Sequence, residues 1–193
     1  GEEVSFICVT AGTQVLPLAT SQDHKARETG DRGPNTGGMG AYSPAPRVTA
    51  ALHQRIMDDV IHPTVKGLAD ENMPYTGFLY AGLMIDASGN PRVLEYNCRF
   101  GDPETQPILM RLRSDLVELC EAALAGKLDN YHAVWDPRFA LGVVMVAEGY
   151  PGDYARGDQI SGLKQAQSDN IKVFHAGTRQ DEDHIVTDGG RVL

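Results

Sequence analysis

Glu95, Asn97 and Arg99 occupy alternate positions directly after an apolar run, in the stretch Glu-Tyr-Asn-Cys-Arg-Phe-Gly-Asp-Pro-Glu-Thr-Gln that spans residues 95–106. Along an extended chain residues i and i+2 share a face, so a carboxylate and a carboxamide oxygen point the same way and suit one hard divalent cation. If the strand persists as far as residue 99, the Arg99 guanidinium reaches the edge of the same site. There it would hold a phosphoryl or acyl oxygen that gains charge during reaction. The same residue types also occur where an edge strand ends in a solvated turn. The continuation Gly101-Asp102-Pro103-Glu104 favours chemistry, because two further carboxylates beside a glycine and a proline make a shaped loop.

A second candidate lies upstream. Gly33-Pro34-Asn35-Thr36-Gly37-Gly38-Met39-Gly40 follows Asp23-His24-Lys25. Glycines let consecutive backbone N–H groups turn toward one point without Cβ clash, forming an anion nest for a phosphate or carboxylate. A simple turn uses the same residues. Lys25 reads either as a surface lysine or as a partner for phosphate, and His24 reads as a hydrogen-bonded structural histidine rather than a base. His53, His62, His132, His175 and His184 are scattered and carry no assignment, and Tyr42 and Tyr80 read as core or wall residues.

Several common arrangements are absent. The sequence has no Gly-x-Ser-x-Gly elbow, no His-Glu-x-x-His pair and no Gly-x-x-x-x-Gly-Lys-Ser/Thr loop, which removes serine hydrolase, zincin and P-loop readings. A net charge of −9 argues against a nucleic-acid surface, which normally shows a basic face. An anionic ligand must therefore be held by local groups, with Lys25, Arg27, Arg32 and Arg99 as candidates. Cys8, Cys98 and Cys120 are odd in number and far apart, which reads as reduced thiols in the cytoplasm. No apolar run approaches the roughly 18 residues of a membrane span, so no membrane partner is expected.

The elements that must position these residues follow from pattern. Val4–Thr10 and Val15–Ala19 read as a hairpin around residues 11–13, and residues 21–46, rich in glycine and proline, read as a long loop. Thr49 caps a helix whose stripe Leu52, Ile56, Val60, Val65 and Leu68 runs to Glu71, with Pro63 kinking or dividing it. Phe78–Asp86 and Val93–Asn97 form a second hairpin around residues 88–90. Ile108–Leu112 is predicted helical, and Ser114 caps a further helix that Gly126 ends. Beyond residue 130, Phe139–Ala147 reads as a continuous strand, with shorter strands near Ile160, at 172–175, at 185–187 and at 191–193. The expectation is an α+β fold: an antiparallel sheet with packed helices over 1–130, then a small, mainly β domain over 131–193.

Taken together, Ser21–Lys25, Gly33–Gly40, Tyr75–Asp86, Leu94–Pro107 and Gly149–Tyr154 resemble the phosphoribosylamine–glycine ligase family of ATP-grasp enzymes over essentially the whole chain. The resemblance implies the C-terminal half of an ATP-grasp domain followed by the family's C-terminal β domain. It implies a purine-biosynthesis reaction in which ATP phosphorylates glycine, the amine of 5-phosphoribosylamine attacks the acyl phosphate, and glycinamide ribonucleotide, ADP and phosphate leave. By motif, Glu95 and Asn97 would be the ligands of a Mg²⁺ or Mn²⁺ bridging nucleotide phosphates, and Arg99 would steady the transferring phosphoryl group. Lys25, with Asp23, His24 and the loop Asn35, Thr36, Gly37, Gly38, Met39 and Gly40, would line the pocket for nucleotide phosphates and the amine. Asp102 and Glu104 would orient either Arg99 or the glycine ammonium. Gly82 and Leu83 stand where many ATP-grasp enzymes carry a further acidic metal ligand.

Both ends read as cut, since Gly1 runs straight into a strand and Arg191–Leu193 reads as a strand just beginning. On this reading the N-terminal domain and the nucleotide lid precede Gly1, and the chain alone is inactive. Two alternatives stay open: another ATP-grasp carboxylate–amine ligase or carboxylase, and a noncatalytic phosphate- or metal-binding fragment.

Overall fold

The first apolar run becomes strand β1, Glu2–Ala11, buried residue after residue along its interior. It reverses at Gly12, whose φ of 63° is the left-handed conformation that glycine adopts without a Cβ clash, and returns as β2, Gln14–Pro17, with Cys8 opposite Pro17. There follow β3 (Gln22–Asp23), β4 (Ala26–Glu28), β5 (Arg32–Asn35), β6 (Gly40–Ser43), helix α1 (Ala50–Ile56), a π-helical turn (Met57–Ile61), α2 (His62–Asp70), β7 (Thr76–Ile85) and β8 (Pro91–Asn97). The chain continues through α3 (Thr105–Arg111), α4 (Leu116–Leu124), a 3₁₀ turn (Leu128–Asn130), β9 (Ala140–Val143), β10 (Gln159–Ile160), β11 (Thr178–Asp181) and β12 (His184–Thr187). The computed structural model describes residues 1–193, and its architecture is α+β with antiparallel pairing in the sheets.

Two compact units divide the chain, one made of residues 1–24 and 40–142 and the other of 25–39 and 143–193. In the first, a four-stranded antiparallel sheet has the order β2-β1-β7-β8. Its core lies on both faces, because β1 and β7 are apolar at successive positions and not at every second one. On one face Val4, Phe6 and Cys8 meet Ala81, Leu83 and Ile85 and pack against Ile56, Val60 and Ile61 of the α1–α2 segment. On the other, Ile7, Val9 and Tyr80 pack against Ile108 of α3 and Leu119 and Ala123 of α4. Each fully buried aliphatic side chain contributes about 1.5–3 kcal/mol.

Helix boundaries follow local chemistry. Thr49 caps α1 by accepting a hydrogen bond from the Leu52 N–H. Pro63 divides the predicted helix: the backbone widens into the π-helical turn and restarts as α2 with Pro63 in its first turn, where a missing N–H is tolerated. The cap of α4 is Asp115, not Ser114, because the longer carboxylate reaches the N–H groups of Val117 and Glu118 while Ser114 Oγ accepts from Val134. Residues 21–46 are more ordered than their composition implies, since they contain β3 to β6. The run 139–147 forms a strand only over Ala140–Val143, after which Val146 makes a single bridge to Arg191. Residues 172–175 form no strand, whereas the polar β11 completes a three-stranded sheet of order β10-β12-β11 in the second unit. No helix is long and apolar enough to cross a membrane.

Buried Arg111 joins α3 to the segment beyond the 3₁₀ turn. Its guanidinium donates to the carbonyl oxygens of Asp136 and Arg138 and, at 3.0 Å, to Ser43 Oγ. Asp136 is fixed in turn by Arg138 and Arg113. Hydrogen bonds from the Arg138 guanidinium and backbone N–H, and from Arg113, hold the Asp136 carboxyl well below the usual carboxylate range. A depressed folded-state pKa contributes stability that is complete above the unfolded value of about 4 and is lost as pH falls below it. Asp136→Asn is therefore expected to lower the urea midpoint at pH 7, with the gap to wild type narrowing as pH drops below about 4. A gap that stays constant between pH 7 and pH 3 would show that this charge does not couple to folding.

Candidate active site

The first unit holds Glu95 and Asn97 near the end of β8, an edge strand. Asn97 Nδ2 donates to Glu95 Oε1 at 3.3 Å, so the carboxylate and the carboxamide project together as the alternation requires. Their face is set by register. Glu95 lies opposite Gly82 and Asn97 opposite Tyr80, and Val93 lies opposite Leu83, which leaves Leu94 as an extra residue in a β-bulge. Simple alternation would place Val93 and Glu95 on one face. The bulge pairs Val93 with a residue of the α1–α2 face and turns Glu95 to the Tyr80 face.

That face is polar where β1, β7 and β8 run side by side. Ser5, Gly82 and Glu95 form one row across the sheet, and Ile7, Tyr80 and Asn97 form the next row on the same face. A Cβ on Gly82 would stand 3.2 Å from Glu95 Cγ and 3.3 Å from Tyr80 Cε1, so these two side chains share the space the glycine leaves. The Tyr80 hydroxyl is 3.2 Å from Ser5 Oγ, which donates to Glu104 Oε1 at 2.6 Å. Burial, and secondarily the Glu104 carboxylate, pushes the Tyr80 phenol upward.

Arg99 is not on the strand. β8 ends at Asn97 because the chain bends there to stack Phe100 on Phe78, with ring centroids 4.8 Å apart. The exposed Arg99 guanidinium donates from Nη1 to the Phe100 carbonyl at 2.9 Å, and so follows the bend rather than the strand's alternation. Asp102 is exposed. Glu104, expected beside Arg99 or a substrate ammonium, is instead 1% exposed and held by Ser5, and its Oε2 meets no hydrogen-bond donor of the protein. The reason is its place at the N-terminal end of α3, which packs into the second core face and carries the side chain inward. Asp23 is buried in β3 opposite Ala41 of β6. Exposed His24 donates its backbone N–H to the Gly40 carbonyl and lies against the Tyr42 ring at 5.4 Å.

Lys25 and residues 35–39 belong to the second unit. There the glycine-rich loop does not form the expected nest. The Thr36 N–H bonds the Lys25 carbonyl at 2.8 Å, the Gly37 N–H bonds Tyr150 Oη at 3.0 Å, and the Gly38 N–H bonds Thr36 Oγ1 at 3.0 Å. Three consecutive donors are thus consumed internally. Arg191 Nη1 also donates to the Gly37 carbonyl at 2.7 Å, so one peptide residue is gripped on both its polar groups. Asn35 is exposed and Met39 half-buried.

Ser5 and Tyr80 were not singled out by spacing. A lone serine inside the apolar run Val4–Val9 is a signal in its own right, since a buried hydroxyl requires a partner. Nothing local marks Tyr150 or Arg191 as the partners of Gly37, because those bonds span 113 and 154 residues. The structure contains no cluster of three or more His, Cys, Asp or Glu side chains able to hold a metal. The Glu95–Asn97 pair is smaller than such a cluster and is joined here through the carboxamide N–H; its carboxylate and carboxamide oxygens are of the type that suits a hard cation, with most of the coordination left to other donors.

Comparison with known proteins shows the family to which the chain belongs. The family model described as phosphoribosylglycinamide synthetase, ATP-grasp (A) domain, matches residues 1–105, and the one described as phosphoribosylglycinamide synthetase, C domain, matches residues 140–193. Phosphoribosylamine–glycine ligase from Vibrio cholerae is 66% identical, and that from Allochromatium vinosum 67%, each over the whole chain and 45% of the relative. The crystal structure of phosphoribosylamine–glycine ligase from Thermotoga maritima superposes with a TM-score of 0.85 at 35% identity, covering all of this chain and 46% of that one. The chain thus spans about half the length of the relatives it matches.

Glu104 offers a direct check on this arrangement. A Cβ on Gly101 would fall 2.6 Å from Glu104 Oε2 and 2.9 Å from its Cβ, closer than real contacts permit. Gly101→Ala is expected to displace Glu104 from Ser5 and lower the unfolding free energy of the full-length protein by about 1–3 kcal/mol. Urea denaturation measures this, and an unchanged midpoint would mean that Glu104 is not held as described.

Proposed function

The chain belongs to the phosphoribosylglycinamide synthetase family, and we propose that the full-length protein joins glycine to 5-phosphoribosylamine at the expense of ATP. The glycine carboxylate attacks the γ-phosphorus of ATP to give glycyl phosphate and ADP. The amine of 5-phosphoribosylamine then attacks the acyl carbon, and glycinamide ribonucleotide and phosphate are released. The observation that carries the reading is the convergence of Glu95 and Asn97 on one face of β8, at 3.3 Å.

Those two side chains would hold Mg²⁺ or Mn²⁺. Bound there, such an ion supplies positive charge against nucleotide phosphate oxygens. One carboxylate and one amide leave room for phosphate oxygens and water in its shell, which is how Mg²⁺ is ordinarily bound with nucleotides. Arg99 is assigned to the transferring phosphoryl group. Only one of its N–H donors is directed at the Phe100 carbonyl, and the rest of the planar fork remains suited to phosphate oxygens. Its place beyond the bend leaves it exposed, with the Phe100 carbonyl as its anchor.

Asp102 is assigned to orienting Arg99 or the glycine ammonium. Glu104, inward and bound to Ser5, supports the site from below. Lys25 and Asn35 are assigned to phosphate or amine contacts through their side chains, since the loop's successive N–H groups are engaged within the unit. Three free cysteines fit a cytoplasmic enzyme.

Glu95→Gln in the full-length protein keeps the shape of the side chain and its contact with Asn97 while removing the charge. Metal-dependent ATP turnover with glycine and 5-phosphoribosylamine is expected to fall by at least about 100-fold, with the unfolding midpoint unchanged. Full activity with ordinary metal dependence would reject the assignment. Failure of 5-phosphoribosylamine plus glycine to stimulate ATP hydrolysis by wild type would point to a different carboxylate–amine ligase.

A further inference from the structure

We propose that Tyr80, anchored through Ser5 to buried Glu104, is a positioning residue that sets the rotamer of Glu95, and that Gly82 is glycine so that the two side chains can meet. The inference rests on the reading of Glu95 and Asn97 as metal ligands and goes beyond it by naming what aims them.

Glu95 is exposed, and its carboxylate is bonded to Asn97, itself a flexible side chain. An unsupported glutamate samples several rotamers, which weakens any site built on it. Support comes from the row beneath. Gly82 lies opposite Glu95 in β7, and a Cβ there would press on both side chains, 3.2 Å from Glu95 Cγ and 3.3 Å from Tyr80 Cε1, so both border the room the glycine leaves. The ring therefore limits where the glutamate stem can lie. Fixing the ring is the task of its hydroxyl. Ser5 has one hydroxyl proton, directed to Glu104 Oε1 at 2.6 Å, so Tyr80 must be the donor in the 3.2 Å contact with Ser5. The chain of donors runs from Tyr80 to Ser5 to Glu104, and all three residues are buried, at 4%, 1% and 1% exposure.

A carboxylate placed this deep without a cationic partner is costly unless it serves an arrangement of this kind. Its position is enforced from the other side as well. Gly101 leaves room for Glu104 Oε2, and α3 fixes the backbone that carries it. Charge, hydroxyl, ring and glutamate stem thus make a prop running from the second core face to the edge strand.

The test uses the full-length protein, with Mn²⁺ and Mg²⁺ titrated against turnover and the unfolding midpoint recorded without metal. Tyr80→Phe keeps the ring and removes its anchor. Gly82→Ala pushes ring and glutamate apart. Each is expected to raise the metal concentration for half-maximal turnover by about 10-fold, the usual size of an effect exerted through a ligand's supporting contacts. A lowered unfolding midpoint with an unchanged metal requirement in both variants would make the trio a packing feature and overturn the proposal. Tyr80→Phe decides the matter if Gly82→Ala does not fold. Glu95→Gln separates the two levels of argument. If it abolishes metal dependence while Tyr80→Phe and Gly82→Ala do not alter it, only the positioning role fails. If Glu95→Gln is itself without effect, the metal reading and the prop fail together.

Discussion

The pairing of β7 with β8 governs what this chain can do. In an antiparallel sheet the face on which a side chain emerges is fixed by register, and a slip of one residue sends every side chain to the opposite face. Here the register changes at Leu94, so that Val93 answers Leu83 and Glu95 answers Gly82. Were Leu94 regularly paired, keeping Val93 opposite Leu83 would turn Glu95 toward the face that packs on the α1–α2 segment. With the bulge, Glu95 and Asn97 emerge beside Tyr80. One inserted residue therefore separates the apolar half of β8 from its polar half, at an edge of the sheet where such distortions are best tolerated.

The same region shows what was legible in the sequence and what was not. Two-residue alternation was enough to place Glu95 and Asn97 together, because it is a property of any extended chain. The hairpins around Gly12 and Gly89 and the division of the long helix at Pro63 were also legible, since each depends on glycine or proline chemistry that acts locally. Arg99 would share the face of Glu95 and Asn97 only if the strand reached residue 99, and it ends two residues earlier. What ends it is the stacking of Phe100 on Phe78, a contact between residues far apart in the chain. The burial of Glu104 was not legible for a related reason: it depends on α3 being packed into the core. Asp115 displaced Ser114 as a cap over a difference of one residue, within the ordinary uncertainty of helix ends.

The glycine-rich loop makes the opposite point about composition. Five glycines between residues 30 and 40 read as conformational freedom and as open N–H donors. In the folded unit the freedom is real, with Gly30, Gly33 and Gly38 at positive φ, but the donors are committed. Tyr150 and Arg191 hold both polar groups of Gly37, and Thr36 closes on Lys25 and Gly38. Glycine here permits close approach as well: a Cβ at Gly37 would lie 2.9 Å from the Arg191 guanidinium carbon. The loop is built to be held rather than to hold an ion by its backbone.

The nucleotide site proposed above must work within an acidic chain. With a net charge of −9 the general field opposes nucleotide binding, so attraction must be short-ranged. Backbone donors could have supplied it without any formal charge, yet those of the glycine loop are spent on internal bonds. In the first unit, the proposed reading leaves Arg99 and a cation at Glu95 and Asn97 as sources, each effective over a few ångströms. On that proposal the two oxygen ligands would matter as much to charge balance as to chemistry, because a divalent ion would convert a locally negative edge strand into one that accepts phosphate. A carboxylate that carries this burden must not wander, which is the physical reason for expecting its stem to be braced. The buried line from Glu104 through Ser5 to Tyr80 places a second negative charge behind the first. That charge is engaged by its own donor, the Ser5 hydroxyl, which in turn accepts from Tyr80.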